Sequence, residues 1–177
     1  LDTSGALTYP ASPMPVCTYA SYHDLPKLAM SDGVLYAAWA DNRPPAANGD
    51  VYLQKFDANG APQWAVDGIV GVQIPTNYTT PGLVASDSGA VIAMTDGNPD
   101  GYVAMRIRDD GTPAWSALGT FCTFDFRPFY SERIEMSDGD GGVVSFWRSF
   151  TTGDLHAARI IRTGVAVGSV GVNEQHS

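Results

Sequence analysis

The chain has 177 residues, of which 44% are hydrophobic, and this length is enough to bury a sizeable core in one domain. Ten basic residues against 19 acidic ones leave a net charge of −9, which repels phosphate backbones and argues against nucleic acid as a partner. No apolar run approaches the roughly 20 residues that a membrane-spanning helix needs, so we expect no membrane span.

The first unit of the chain follows a junction at Cys17. Its predicted strands are apolar or β-branched runs bounded by turn residues: "LPKLAM" (25–30), "VLYAAWAD" (34–41) and "DVYLQKFD" (50–57). A turn motif, "DANGAPQW" (57–64), then opens a fourth short strand within "QWAVDGIVGV" (63–72). No segment has a sustained helical period with caps, so we expect strands throughout.

The same order of segments returns twice. The second unit has "GLVAS" (82–86), "AVIAMTD" (90–96) and "YVAMRIR" (102–108), followed by the turn "DDGTPAW" (109–115). The third has "RIEMS" (133–137), "GVVSFWRS" (142–149) and "DLHAARII" (154–161). The chain therefore repeats, with a period of about fifty residues.

Three markers keep this repeat in one register. The glycines of the turn motif are Gly5, Gly60, Gly111 and Gly164. A Ser-Asp turn follows the first strand of each unit, at Ser31, Ser86 and Ser137. A basic residue stands five positions before each later glycine, at Lys55, Arg106 and Arg159.

Four strands per unit predict an all-β fold of β-propeller-type four-stranded blades, three blades plus a flanking strand. The predicted boundaries are 1–16 for the last strand of a preceding blade, 17–72, 73–121 and 122–170 for the blades, and 171–177 for a tail. Propellers typically have about 4–8 blades. The count favours a fragment of a longer chain, because residue 1 enters in the middle of a unit; the alternative is two copies that complete a six-bladed ring.

The turn motif has a structural explanation. Its glycine supplies a positive φ, and Pro62 and Pro113 suit the start of an edge strand, where a missing N–H is tolerated. Trp64 and Trp115 are expected to fold back onto neighbouring strands. The sialidase Asp-box is a related motif, but its Ser and Thr are absent here and the Trp is displaced by one position, so a structural turn is favoured.

The first unit carries the pattern W-x-D-x-R … D-x-Y-x-Q … D-x-x-G-x-x-x-W, through Trp39, Asp41, Arg43, Asp50, Tyr52, Gln54, Asp57, Gly60 and Trp64. With this pattern the chain resembles the roughly fifty-residue β-propeller-type repeats of large secreted or cell-surface bacterial proteins. The second unit departs from the pattern, with Met94 at the position of the Trp. The resemblance implies a propeller-type architecture and an extracellular or cell-surface location, and it brings no catalytic residue.

A binding surface is predicted at one edge of the blades. In a blade, the junction between units and the loop between the second and third strands emerge on the same side. The residues expected to line this surface are Tyr22, Arg43, Tyr78, Arg127, Phe129 and Arg148. Aromatic surfaces with polar neighbours suit sugar rings or protein partners, and the alternative is that these aromatics pack between adjacent blades.

Metal and redox chemistry find weak support in the sequence. Asp138 and Asp140 form an Asp-x-Asp pattern that could offer oxygens to Ca²⁺, but a full calcium loop needs about 6–8 of them, so a hairpin turn is favoured and no cofactor is expected. His23 has no metal-binding partner at usable spacing. Cys17 and Cys122 hold equivalent positions two blades apart, so a mutual disulfide is not expected, and their redox state stays open.

These observations favour a non-catalytic extracellular binding or structural repeat module, in adhesion or cell-surface assembly. The expected partner is a protein or a surface polysaccharide, with self-association or the rest of a longer chain as a further possibility. The alternatives are a propeller-scaffold glycoside hydrolase or lyase fragment, or a carbohydrate-binding lectin-like propeller. Two carboxylates about 5–9.5 Å apart at a ring centre would favour the hydrolase.

Overall fold

The computed structural model of the protein describes residues 14–44, 49–73, 81–86, 91–97, 101–115, 120–123, 133–148 and 153–172. Within these residues every helix or strand is a β-strand, so the all-β prediction is confirmed. For the described part of the chain, no helix is long and apolar enough to cross a membrane.

Three four-stranded sheets follow one another along the described chain. Sheet 1 contains β1 (His23–Ser31), β2 (Val34–Asp41), β3 (Asp50–Phe56) and β4 (Ile69–Val72). Sheet 2 contains β5 (Gly82–Ala85), β6 (Val91–Gly97), β7 (Gly101–Ile107) and β8 (Thr120–Thr123). Sheet 3 contains β9 (Arg133–Ser137), β10 (Val143–Arg148), β11 (Leu155–Ile160) and β12 (Ala166–Val172).

Each strand pairs antiparallel with the next strand in chain order, so the four-stranded units predicted from the sequence are present. The fourth strand is shorter than expected. Pro62 makes only an isolated bridge with Phe56, and Pro113 makes the equivalent bridge with Ile107. The amide of Gln63 still donates to the Lys55 carbonyl oxygen at 2.7 Å, but the chain then turns, with the Gly68 amide bonded to the Ala65 carbonyl oxygen. Regular pairing in sheet 1 resumes at Ile69. The predicted flanking strand falls mainly on residues 1–13, outside the described ranges.

The two faces of each sheet can be assigned from the strand register, since residues directly opposite one another project to the same side. We call the face toward the preceding sheet in chain order the front face, and the face toward the following sheet the back face. The outer faces of sheets 1 and 3 take the same names by equivalent position. In sheet 1, Tyr36 and Leu53 lie on the back face, and Trp39 and Tyr52 lie on the front face.

Sheet 2 is packed between the other two sheets. The main core joins the back face of sheet 1, both faces of sheet 2 and the front face of sheet 3, through buried residues that include Tyr36, Leu53, Ile92, Met105, Ile107, Val143 and Ile160. The front face of sheet 1 forms a separate cluster of Ala37, Trp39, Tyr52 and Phe56. The first strands of successive sheets contact one another, with β1 against β5 and β5 against β9.

The tryptophans of the turn motif connect one sheet to the next. The ring centres of Trp64 and Tyr36 are 5.9 Å apart, so Trp64 folds back onto its own sheet as predicted. Its indole N–H reaches further, to the carbonyl oxygen of Asp109 at 3.1 Å. Trp115 makes the same bond to the carbonyl oxygen of Arg162 at 2.9 Å. The repeated motif therefore carries a hydrogen bond between sheets.

Candidate functional site

Polar side chains converge at the end of sheet 1 where β2 finishes and β3 begins. The chain enters β1 beside the point where it leaves β2, because the amide of Asn42 donates to the carbonyl oxygen of Tyr22 at 3.2 Å. His23 and Asp41 are direct partners in the β1–β2 register. The junction before β1 and the loop after β2 thus lie together in this sheet, and we call this end the loop end.

Asp41 is the centre of the cluster and is fully buried. Its Oδ1 accepts from the Ser21 hydroxyl at 2.6 Å and from the Arg43 amide at 2.9 Å. Its Oδ2 accepts from the Trp39 indole at 3.1 Å and from Arg43 Nε at 2.9 Å. Burial by itself would raise the pKa of Asp41, but the bonds from Arg43, Ser21 and Trp39 outweigh it and hold the pKa well below its usual range. Asp41 is therefore a permanent anion that organises its neighbours.

Arg43 is turned inward, with 8% of its surface exposed. Its Nη2 donates to the Asp67 carbonyl oxygen at 2.9 Å and contacts Cys17 Sγ at 3.1 Å. The guanidinium carbon lies 3.9 Å from the ring centre of Tyr52 and 4.7 Å from that of Tyr19. Arg43 was predicted to line a binding surface, but its guanidinium is engaged inside the chain.

The segment before β1 is held down by a turn between β3 and β4. Asp67 has a φ of 63°, which is uncommon for a residue other than glycine. Its Oδ1 accepts from the Thr18 amide at 2.6 Å and from the Thr18 hydroxyl at 3.0 Å. The Thr18 amide is the main reason that the pKa of Asp67 is lowered. The residues around Cys17 are thereby placed against sheet 1.

Cys17, His23 and Asp41 bring three metal-ligand atoms within 4.8 Å of one another. His23 Nε2 lies 3.4 Å from Cys17 Sγ and 3.2 Å from Asp41 Oδ2. His23 has no metal-binding partner at usable spacing along the chain, and the fold brings Cys17 and Asp41 to its ring. Spacing along the chain did not reveal the group because strand pairing, and not a local motif, joins His23 to Asp41.

This donor set could hold a soft divalent metal, but a cation is already present among its atoms. The Nη2 of Arg43 contacts both Cys17 Sγ and Asp41 Oδ2. The cluster also differs from a nucleophilic Cys–His pair, since burial raises the pKa of the Cys17 thiol. Cys17 is a free cysteine. In this arrangement the positive charge of Arg43 neutralises the negative charge of Asp41 within the chain.

An open pocket of about 340 Å³ adjoins the cluster. Its wall is mainly apolar and its polar groups come from Cys17, His23 and Asp24; the lining residues are Val16, Cys17, His23, Asp24, Pro26, Leu28, Ala37, Ala38 and Trp39. One side is formed where β1 bulges between Asp24 and Lys27, with Leu25 at a φ of 51°. A cavity of this volume accommodates a small ring or a short chain of atoms.

The other predicted surface residues are distributed as follows. Tyr22 is 66% exposed, and its hydroxyl donates to Asp24 Oδ2 at 3.2 Å at the edge of the cluster. Arg148 is exposed at the end of β10, and its Nε donates to the Gly153 carbonyl oxygen at 3.3 Å. Tyr78, Arg127 and Phe129 lie outside the described residues.

Asp138 shapes the hairpin between β9 and β10. Its Oδ1 accepts from the amides of Asp140 and Gly142 at 2.8 and 2.7 Å, and its Oδ2 accepts from Arg159 at 2.7 Å. Burial works to raise the pKa of Asp138, but these bonds outweigh it and lower the pKa. Both oxygens of the carboxylate considered for Ca²⁺ thus already accept bonds from the protein.

No protein-family model matches the chain, and no curated protein matches it either. Four solved chains are similar to it. One is the crystal structure of a glycosyl hydrolase from Bacteroides ovatus, with 10% sequence identity and a TM-score of 0.43. The similarity covers 88% of this chain and 50% of that chain, so this chain spans half the length of that structure.

Proposed function

We propose that this chain is a non-catalytic extracellular binding module of a bacterial surface, built from three consecutive β-propeller blades, with a role in adhesion or cell-surface assembly. Its partner is held at the loop end of the sheets. The observation that carries the proposal is the apolar pocket beside a polar cluster whose charges are neutralised within the chain.

The arrangement of the sheets supports the blade interpretation. Each sheet is a four-stranded antiparallel meander, and the sheets follow one another in chain order. Their first strands contact one another in the sequence β1, β5 and β9. Propeller blades are four-stranded sheets of this kind, arranged radially with their first strands toward a central channel.

The polar cluster supports binding over chemistry. A general base must be able to take up a proton near the working pH, whereas the pKa of Asp41 is held far below it. The pKa of the Cys17 thiol is shifted the other way, upward, because burial favours the protonated thiol. Both groups therefore stay in one protonation state at neutral pH, and Cys17 contributes to the wall of the pocket.

A carbohydrate fits the pocket well. A sugar ring has an apolar face, which can lie against Pro26 and Leu28, and hydroxyls, which can bond to Asp24 and His23 at the polar end. Tyr22 is exposed next to Asp24 and offers a further aromatic surface. We therefore place a surface polysaccharide ahead of a protein as the partner.

Isothermal titration of the whole chain with a panel of soluble bacterial oligosaccharides tests the proposal. We expect at least one ligand to bind, and Tyr22→Ala and Asp24→Ala each to weaken its affinity by about tenfold. Val165→Ala is the control, because Val165 is 53% exposed in the turn before β12 and away from the pocket. Release of new reducing ends by the purified chain, or binding that the pocket variants leave unchanged, would contradict the proposal.

A further inference from the structure

The two outer faces of the three-sheet stack carry exposed apolar side chains. On the back face of sheet 3, Ile134 is 68% exposed, Met136 is 54% exposed and Phe146 is 44% exposed. On the front face of sheet 1, Leu28 and Met30 of β1 are 69% and 72% exposed. Large apolar side chains on a sheet face indicate a surface that another element covers.

The corresponding positions inside the stack are buried. Tyr36, Ile92 and Val144 are equivalent, because each lies opposite the basic marker residue of its own unit. Tyr36 is 1% exposed and Ile92 is 0% exposed, since the next sheet covers the back face of sheets 1 and 2. Val84, the β5 partner of Ile92, is 6% exposed, whereas Met136, the β9 partner of Val144, is 54% exposed.

The interface between sheets 2 and 3 shows what covers such a back face. Gly82 on the back face of β5 lies so close to the front face of β9 that an added Cβ would be 2.9 Å from Glu135 Oε1 and 3.0 Å from Arg133 Nη2. The back face of β5, the first strand of sheet 2, thus packs against the front face of β9, the first strand of sheet 3. Continuing the same relationship beyond sheet 3 requires the exposed front face of another first strand, which β1 provides at the opposite end of the described stack.

We propose that the back face of sheet 3 docks onto the front face of β1 in a second copy of this chain. Ile134 and Met136 of one copy then cover Leu28 and Met30 of the other, and the same contact forms a second time about a twofold axis. The described sheets of two copies number six, which lies within the range of about 4–8 blades that closes a propeller. This inference rests on the blade arrangement of the proposed function, and it shares one side chain with the ligand pocket, because Leu28 also lines that pocket.

The contact is apolar and not ionic. Each chain carries a net charge of −9, so two copies repel each other at low ionic strength. Salt screens that repulsion and leaves apolar docking intact, and we therefore expect dimerisation to strengthen from low to physiological salt. An interface built on ion pairs would weaken over the same range.

Light scattering coupled to size exclusion measures the assembly directly. The wild-type chain should have twice the 18.8 kDa mass of one copy at about 100 µM. The variants Ile134→Lys with Met136→Lys, and Met30→Glu alone, should each raise the dimer dissociation constant by tenfold or more. When the two variants are mixed, one native contact and one Lys–Glu contact form, and the dimer should return.

A matched control separates loss of docking from loss of folding. All three substituted side chains are exposed, so circular dichroism should show unchanged folding, and Val165→Lys should dimerise as the wild type does. A monomeric wild-type chain overturns the proposal. A dimer that the β1 variant leaves intact also overturns it, because that result indicates two sheet 3 faces packed against each other. Ligand binding measured on the monomeric variant Ile134→Lys with Met136→Lys, which leaves every pocket residue unchanged, shows whether the proposed function fails independently.

Discussion

Trp115 of sheet 2 donates its indole N–H to the carbonyl oxygen of Arg162 in sheet 3, at 2.9 Å and 47 residues further along the chain. Gly164 makes this approach possible, because a Cβ at that position would lie 2.9 Å from Trp115 Cγ. Trp64 and Gly111 repeat the relationship one unit earlier, where a Cβ at Gly111 would lie 3.2 Å from Trp64 Cδ1. The first two units thus each place the tryptophan of their turn motif against the glycine turn of the next unit.

Replacing Trp115 with Phe should lower the free energy of unfolding by about 1–2 kcal/mol, from the lost hydrogen bond and some lost packing. Trp115 is 9% exposed and belongs to the main core, and its bond to the Arg162 carbonyl oxygen is partly buried. Trp64→Phe should cost less, because the bond from Trp64 to Asp109 is exposed to solvent. Urea unfolding measures both, and an equal effect at the two positions would contradict this assignment.

Gly164→Ala should destabilise the chain more than Gly139→Ala. Both glycines have a positive φ, 84° and 77°, so both variants carry the strain of about 1–2 kcal/mol that a Cβ brings in the left-handed region. Only at Gly164 does the new methyl group also meet a ring, since nothing lies within 4 Å of a Cβ at Gly139. Thermal unfolding of the two variants isolates the contact with Trp115. Equal melting temperatures would show that the approach of Trp115 does not matter.

Acid should destabilise the wild-type chain through Asp41. The pKa of this group is lower in the folded chain than in the unfolded chain, so the unfolded chain binds more protons as the pH falls. The stabilisation from Asp41 is therefore fully present above the ordinary aspartate pKa of about 4 and is lost as the pH falls below it toward the folded pKa. Asp41→Asn should cost about 3–5 kcal/mol at neutral pH, because it leaves Arg43 buried without its anion.

Urea unfolding of both proteins at neutral pH and near pH 3 measures this effect. We expect the difference between the wild type and Asp41→Asn to shrink at the lower pH. Asp140→Asn is the control, because Asp140 is exposed in the β9–β10 hairpin and should change stability little. A difference that stays constant with pH would mean that the Asp41 charge does not stabilise the fold.

Cys17 should react slowly with alkylating reagents. Burial raises the pKa of its thiol, and the nearby Arg43 only partly offsets this effect. In a Cys122→Ala background, the rate of iodoacetamide reaction at Cys17 should rise with pH through a midpoint above that of a free cysteine. The urea-unfolded chain is the control, and its thiol should react as a free cysteine does. A midpoint at or below the free value would show an activated thiol and would favour chemistry at the cluster.

The strands were the most predictable part of this protein. "VLYAAWAD" and "DVYLQKFD" form β2 and β3 almost residue for residue, because apolar and β-branched runs between turn residues specify strands locally. The fourth strand was predicted to begin too early, since the consequence of Pro62 depends on which strand lies beside it. Chain order and short connections then make antiparallel neighbours the natural outcome.

The candidate site was less predictable. Arg43 belongs to a polar loop in the sequence, where a charged residue is normally solvated, but Asp41 and Tyr52 draw its guanidinium inward. The positions of His23 and Cys17 along the chain do not indicate that they lie together. His23 is placed by its strand partner Asp41, and the turn at Asp67, beyond β3, accepts a bond from Arg43 at the cluster. Tyr22 is exposed, and the pocket beside it is formed partly by a bulge in β1 that the sequence does not mark.

The sequence by itself determined the all-β class, the four-stranded unit and its period, because alternation and turn chemistry act between residues that are close along the chain. Only the tertiary structure decided which faces of the sheets are covered, where each tryptophan donates and how Asp41 neutralises Arg43. Those outcomes depend on contacts between distant residues, such as Trp115 with Arg162, and on the stacking of one sheet on the next. The exposed Ile134 and Met136 have the same physical origin, since whether an apolar residue is core or surface depends on the presence of the next sheet.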